Sequence, residues 1–445
     1  MENNSMRKYL YIIFFMFLAF STGVLFSILR LPPYGLVRGG VEQVQLVRRD
    51  APSLLGLRPV HWTTKRRYEG QGVKIHRAAE AGSDYVLLQG FFEGGLEIRL
   101  VELDGTVVHR WPISPGALTE GIEHLSNRPL IDWNYDSHGA VALPDGSVVF
   151  NIDHIALVKL DRCGAVVWRV DTPAHHSIER NADGTFWVSS AVKHRDASAL
   201  ADRLYRPPFA EDHLTKIGPD GRILANISLI EVFRSNDAMG LLTLPGGTNT
   251  RTYRASRPDM PRELFHLNDV EALPADMAGA FDAFASGDLL VSLRNRNLIL
   301  VMDPNTLRMK WWHIGNWVRH HDPDWHADGT IRLFDNNRDG TEAGDILGSS
   351  RIVSIEPDSK RERILLGEGE DPVFHTTRRG KHQQLSGGRI LVTEAEAGRV
   401  FITNSANEIV WEYLNVFDET HAARISEARA YPREYFDVSD WSCGK

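Results

Sequence analysis

Residues 138–168 read HGAVALPDGSVVFNIDHIALVKLDRCGAVVW, and this stretch decides the fold. A histidine opens it, and Asp145-Gly146 follows after a short apolar run. A second and a third apolar run come next, separated by polar turns, and the last ends in Trp168. Asp-Gly favours tight hairpins because glycine accepts positive φ without steric cost. Runs of five or so β-branched residues between such turns read as short strands.

The unit recurs. Residues 176–191 read HSIERNADGTFWVSSA, and the pattern resumes at residue 213 with HLTKIGPDGRILANISL. Residues 321–336 read HDPDWHADGTIRLFDN and resume with SRIVSIEPDSKRERILL. Residues 382–411 read HQQLSGGRILVTEAEAGRVFITNSANEIVW. The spacing from His138 to Asp145, His176 to Asp183 and His321 to Asp328 is the same. Two less regular units span residues 266–312, with an insertion around 272–281, and residues 85–111. One such sheet cannot bury both faces, whereas six packed radially can. The expected fold is all-β, a six-bladed β-propeller over residues 71–435, preceded by a transmembrane helix. Helical periodicity is weak outside that helix, except over residues 419–429.

The N-terminal helix is read from residues 9–29, an uncharged run preceded by Arg7 and Lys8. About 20 apolar residues cross a bilayer, and flanking basic groups stay in the cytoplasm. This divides the chain into a cytoplasmic N-terminus at 1–8, a single-pass anchor at 9–31, a linker or strap at 32–70, the propeller, and a tail at 436–445. The body is then extracytoplasmic, in the periplasm of a Gram-negative cell. A cleaved signal peptide, with Ala19-Phe20-Ser21 as its small-x-small site, is the competing reading. The net charge of −8 argues against a phosphate-backbone partner, so no nucleic acid is expected. Two cysteines, Cys163 and Cys443, allow a disulfide outside the cytoplasm without requiring one.

In a propeller the first strand of each unit lines the central channel. His138, His176, His266, His321 and His382 open their units and should converge at one mouth of it. Arg294 lies inside a strand-like run, where it is costly unless it meets a partner or an anion. The run 335–340, DNNRDG, matches the start of a calcium loop but has Ile346 where the bidentate acid belongs, so it reads as a polar turn.

The stretch HLND…LLVSLRNRNLILVMDPNTLRMKWWHIGNW…HHDPDWHADGTIRLFDNN resembles the bacterial aryl-sulfate sulfotransferase family. The resemblance implies a periplasmic six-bladed propeller that moves a sulfuryl group from an aryl sulfate to a phenol without a nucleotide donor. It implies His321 as the nucleophile that becomes sulfated, with His320 as the alternative register. Arg294, His266 and Asn268 would hold sulfate oxygens. His138 or His176 would add a contact or act as acid or base; His382, which the repeat places at the same mouth, is counted with the binding residues. No cofactor or metal is implied. A phenol anion is a good leaving group, and neutral imidazole is a competent nucleophile near pH 7.

Two other functions fit parts of the sequence. A ring of histidines could hold a first-row metal. A tethered propeller could also act as a binding or scaffold module, since fold does not fix function. A membrane-protein partner or a homo-oligomer would suit an anchored head.

Overall fold

The computed structural model describes residues 2–29, 34–125, 128–194, 205, 209–244, 262–341 and 344–443. Six antiparallel sheets form its body, and each sheet packs against the next until the circle closes. Blades 2 to 5 each follow the chain outward. Blade 2 comprises Ala140–Ala142, Val148–Ile152, Ala156–Leu160 and Val166–Val170. Blade 3 runs Ala174–Arg180, Phe186–His194, Phe209–Ile217 and Ile223–Ser228, with Arg262–Glu263 added in parallel to the third strand. Blade 4 runs Leu267–Ala272, Leu289–Leu293, Leu298–Met302 and Met309–Ile314. Blade 5 runs His321–Trp325, Ile331–Asp335, Arg351–Glu356 and Arg361–Leu366.

The circle is closed by both ends of the chain. Blade 1 takes its outer strands Tyr85–Phe92, Gly95–Val101 and Val107–Ile113 from the N-terminal side, and its innermost strand is Ile425–Tyr431. This corrects the helical reading of residues 419–429, which form His421–Ala423 and most of that closing strand. Blade 6, Lys381–Gln384, Ile390–Glu394, Arg399–Thr403 and Ile409–Leu414, gains Gly72–His76 as a fifth, outer strand.

The turns explain the repeat. Gly146, Gly184 and Gly329 adopt φ of 79°, 78° and 80°. The preceding aspartates accept from the next backbone N–H: Ser147 to Asp145 at 2.9 Å, Thr185 to Asp183 at 3.0 Å, Thr330 to Asp328 at 3.1 Å. The tryptophans stitch neighbouring blades. Trp168 Nε1 donates to Pro219 O at 2.9 Å, Trp311 to Pro357 O at 2.9 Å and Trp411 to Leu103 O at 2.6 Å. In blade 4 this role falls to Trp311, while the unit's terminal Trp312 is 41% exposed.

Strand alternation then fills the spaces between blades, because successive side chains point to opposite faces. In blade 2, Val148, Phe150 and Val158 pack with Leu87, Ile98 and Trp111 of blade 1. Val149 and Leu157 pack with Ile178, Phe186 and Val188 of blade 3. Four further clusters fill the remaining interfaces in the same way. Burying both faces of every sheet is what a repeat of this length makes possible.

N-terminal to the propeller, Glu2–Leu29 is helical, and its stretch Met6–Leu29 is long and apolar enough to cross a membrane. A second helix, Tyr34–Leu54, falls within the segment read as a linker or strap. The chain then inserts Trp62, wholly buried, under the closing blade, where its Nε1 donates to Tyr135 O at 2.8 Å. Cys163 and Cys443 form a disulfide that joins residues 280 apart in sequence. Trp441 packs on His109, Trp111 and Phe436, so the C-terminal segment docks across blades 1 and 2.

Candidate active site

All six innermost strands leave the same mouth of the channel in the same direction. Position along the strand therefore sets depth. At the mouth stand His138, His176, His266 and His321, brought together from residues far apart in sequence. The His138 and His176 ring centroids are 4.8 Å apart, those of His176 and His266 4.8 Å, and those of His176 and His321 6.1 Å. Backbone bulges aim them. Register shifts interrupt the ladders between His175 and Ile178, Leu267 and Asp269, and His321 and Asp324. His176, His266 and Asp322 adopt φ of 60°, 58° and 54°. A left-handed non-glycine residue costs on the order of 1 kcal/mol or more, and such strain collects at functional sites. Gly139 allows the close approach: a Cβ there would lie 2.1 Å from His176 O.

Asparagines at the ends of second strands hold this level together. Asn151, wholly buried, donates from Nδ2 to His176 O at 2.6 Å and accepts from His138 N at 3.1 Å. Asn336 is equally buried and donates from Nδ2 to Thr376 O at 2.8 Å and Arg379 O at 2.7 Å. Those two bonds fix the amide, so its Oδ1 faces His321 Nδ1 at 2.5 Å. His321 Nδ1 must then carry the proton, and Nε2 holds the lone pair. That Nε2 is buried and has no hydrogen-bond partner. Asp335 is also wholly buried and accepts from Val318 N and Arg351. The start of the run read as a polar turn, Asp335-Asn336, is thus a support for the ring.

A second chain of contacts runs behind His176. His266 Nδ1 meets Glu263, His266 Nε2 lies 3.2 Å from His176 Nε2, and His176 Nδ1 lies 2.8 Å from His175 Nδ1. One neutral tautomer each satisfies all three contacts. His266 donates to Glu263, His176 to His266, and His175 to His176. A pocket lined by His154, His175, Lys193, Asp212, Glu263 and His266 opens beside this chain.

Burial lowers the pKa of every ring histidine. It takes His266 to about 4 and His320 to about 3, with the Arg294 charge as the next cause. His321 is held well below the usual imidazole range by burial and then by Arg294. His138 is lowered by burial and then by Arg379, and His176 by burial and then by His138. The imidazoles are therefore neutral at neutral pH, and the positive charge at this mouth belongs to arginines. Arg379 pairs with Asp136 but leaves Nη1 buried without a hydrogen-bond partner. Burial and then Arg379 bring Arg424, beside it, down to about 10.

The other expected residues take different places. His320 turns away from the axis, as the neighbour of His321 on a strand must, and packs on Trp317 with centroids 5.7 Å apart. Asn268 donates from Nδ2 to His320 O at 2.8 Å. His382 does not join the ring, because blade 6 reaches the mouth at Arg379 and the histidine lies three residues deeper. There its Nδ1 is 3.2 Å from Asp322 Oδ2. In the same deeper layer Lys381 Nζ donates to Ser177 Oγ and Asp322 Oδ1, each at 2.7 Å, and lies 3.6 Å from Glu427 Oε2. Lys381 thus ties blade 6 to blades 3, 5 and 1. The pattern of units opening with histidine gave no signal for Lys381, Arg379 or Glu263. Phe150-Asn151 and Phe334-Asp335-Asn336, each closing a second strand, did carry one for the asparagines.

His138, Asp153 and His176 offer ligand atoms within 4.8 Å of one another and could hold a metal by spacing. The arginines beside them make that position unfavourable for a cation.

The sequence model of a family described as arylsulfotransferase (ASST) matches residues 139–416, more than half of the chain. No curated protein matches. Among solved structures, one similar chain is a protein of unknown function from Bacteroides caccae, with 12% identity and a TM-score of 0.46, covering 78% of this chain and 99% of that one. Another is virginiamycin B lyase from Staphylococcus aureus, with 11% identity and a TM-score of 0.36, covering 66% and 84%. A chain of a nidogen/laminin complex has 11% identity and a TM-score of 0.40, covering 78% and 98%.

Proposed function

Given that the chain belongs to the arylsulfotransferase family, we propose that it moves a sulfuryl group from an aryl sulfate to a phenol through a sulfo-histidine at His321. The observation that carries this reading is the His321 ring itself. Asn336 fixes its Nδ1 proton, and Nε2 keeps a buried, unpartnered lone pair beside the channel axis.

In the first step the Nε2 lone pair attacks sulfur. The N–S bond forms as the S–O bond to the aryl group breaks, and the phenolate departs with that electron pair. In the second step the acceptor phenol oxygen attacks the same sulfur, the N–S bond breaks, and the phenol proton passes to a base. Each histidine of the chain His175–His176–His266 has one donor and one acceptor nitrogen in line, and the Glu263 carboxylate ends it as an acceptor, so a proton taken up at the open His175 Nε2 can pass along to Glu263. Arg294 and Arg379 Nη1 would balance charge on the non-bridging oxygens, where preorganised donors in a dry site act most strongly. Asn268 and Asn336 act as positioning residues. His138 would close the site from blade 2.

We also read Met6–Leu29 as an uncleaved anchor with the propeller on its extracytoplasmic side. The disulfide supports this side, since such bonds persist in oxidising compartments.

The test is the intact mass of the protein after mixing with p-nitrophenyl sulfate. A gain of about 80 Da with nitrophenol release, absent in His321→Ala, is the expected result for a covalent intermediate. Nitrophenol release that survives in His321→Ala would overturn the assignment.

A further inference from the structure

The far end of the channel carries groups that sulfuryl transfer does not use. Blade 5 continues from His321 through Asp324 to His326, and blade 6 brings His382 alongside. Across the bulge, three residues here oppose two on the next strand, so at a rise of about 3.3 Å per residue Asp324 lies roughly 7 Å below His321. Asp324, His326 and His382 offer three ligand atoms within 4.8 Å of one another.

Two further observations point to a ligand there. His382 Nε2 and His326 Nε2 are both buried without a hydrogen-bond partner. His382 is 6% exposed and His326 9%. His382 Nδ1 sits against Asp322 Oδ2 at 3.2 Å, so it carries the proton and turns the Nε2 lone pair toward Asp324 Oδ2, 3.7 Å away. A carboxylate behind a histidine is the arrangement that orients metal-binding imidazoles and raises their basicity. The surroundings are strongly acidic. Glu179, Asp269, Glu271 and Asp322 all lie near enough to act on Asp324. Arg332, the nearest cation to His326 in effect, is held by Asp328 at 2.7 Å. The Asp324 side chain is 27% exposed, which leaves a path from the distal mouth.

We propose that Asp324, His326 and His382 form a binding site for a first-row divalent cation such as Zn²⁺, separate from the histidine ring. Two imidazoles and one carboxylate suit Zn²⁺, Mn²⁺ or Fe²⁺ rather than Ca²⁺ or Mg²⁺, which take oxygen ligands. The ion would join blades 5 and 6 and neutralise part of the acidic layer.

The full chain in detergent is stripped with a chelator and titrated with Zn²⁺ by calorimetry, with bound zinc counted by mass spectrometry. The wild type is expected to retain about one ion per chain, and Asp324→Asn and His326→Gln to bind at least about tenfold more weakly. His138→Gln, which alters the other cluster of similar spacing, and His321→Ala are expected to bind as the wild type does. Circular dichroism confirms folding of each variant, and His382→Gln replaces either one that does not fold. No binding by the wild type, unchanged binding in both distal variants, or loss confined to His138→Gln would overturn the site. Because the readout is zinc rather than turnover, failure of the sulfuryl-transfer reading leaves this result intact.

Discussion

The two ends of the channel are built from the same six strands and yet have opposite chemistry. At the first mouth stand neutral histidines and the arginines 294, 379 and 424. Three to five residues farther along stand Glu179, Glu271 and Asp324, with Asp269, Asp322 and Glu427 in the layer between. Lys381 and Arg429 are the cations at that depth. In a propeller the innermost strands run alike, so one step in sequence is one step in depth on all blades at once. Charge can then be separated along the axis by composition alone. The first mouth suits an anion, and the second suits a cation.

The largest effect that would sharpen this contrast is at His321, the proposed nucleophile. His321→Ala is expected to lower kcat/KM for nitrophenol release by about 10³-fold or more, as loss of a covalent nucleophile does, with zinc binding intact. A loss of less than about tenfold would remove His321 from the reaction. The next is at the boundary between the ends. Lys381→Met leaves Asp322 buried without its lysine, while Glu427 keeps Arg429 at 3.3 Å, and stranding such a buried charge typically costs about 3–5 kcal/mol. Chemical denaturation should show that loss, and unchanged stability would mean that the Asp322 carboxyl is protonated. Asn336→Ala acts more gently. It frees the His321 ring to adopt the other tautomer and is expected to lower kcat by about 10- to 100-fold with KM little changed. A fall confined to KM would assign Asn336 to substrate binding instead.

Much of the first mouth was legible in the sequence, and little of the second. The repeat set the number of blades, and its opening histidine set the depth of His138, His176, His266 and His321. The rule failed at blade 6, where Arg379-Gly380 reaches the axis before His382 does. Nothing in a period of similar residues reports that shift. The strand that closes blade 1 was missed because residues 419–429 alternate weakly and their partners lie more than 300 positions away in sequence. The bulges that aim His176 and His266 depend on backbone conformation that no residue type there announces. Lys381, Asp322 and Glu427 look like surface charges when read singly, and only the radial geometry puts them together.

The smallest effect separates the two ends by pH. His266 titrates at about 4 in the folded protein, against about 6.5 for a free imidazole. Burial and then Arg294 lower His321 in the same direction. Between those values the unfolded chain takes up protons that the folded ring refuses, so stability should rise with pH from about 4 to about 6.5 and level off above. Activity should behave differently. His321 Nε2 stays unprotonated across that range, so kcat/KM for nitrophenol release should be flat through pH 6.5, where an exposed histidine nucleophile would already lose half its activity. An acid limb near pH 6.5 in the wild type would mean that the ring is hydrated and ordinary. Arg294→Gln tests the cause. Without that charge the folded pKa of His321 should rise, and the acid limb should move toward neutral pH, while zinc affinity at the other end stays as it was.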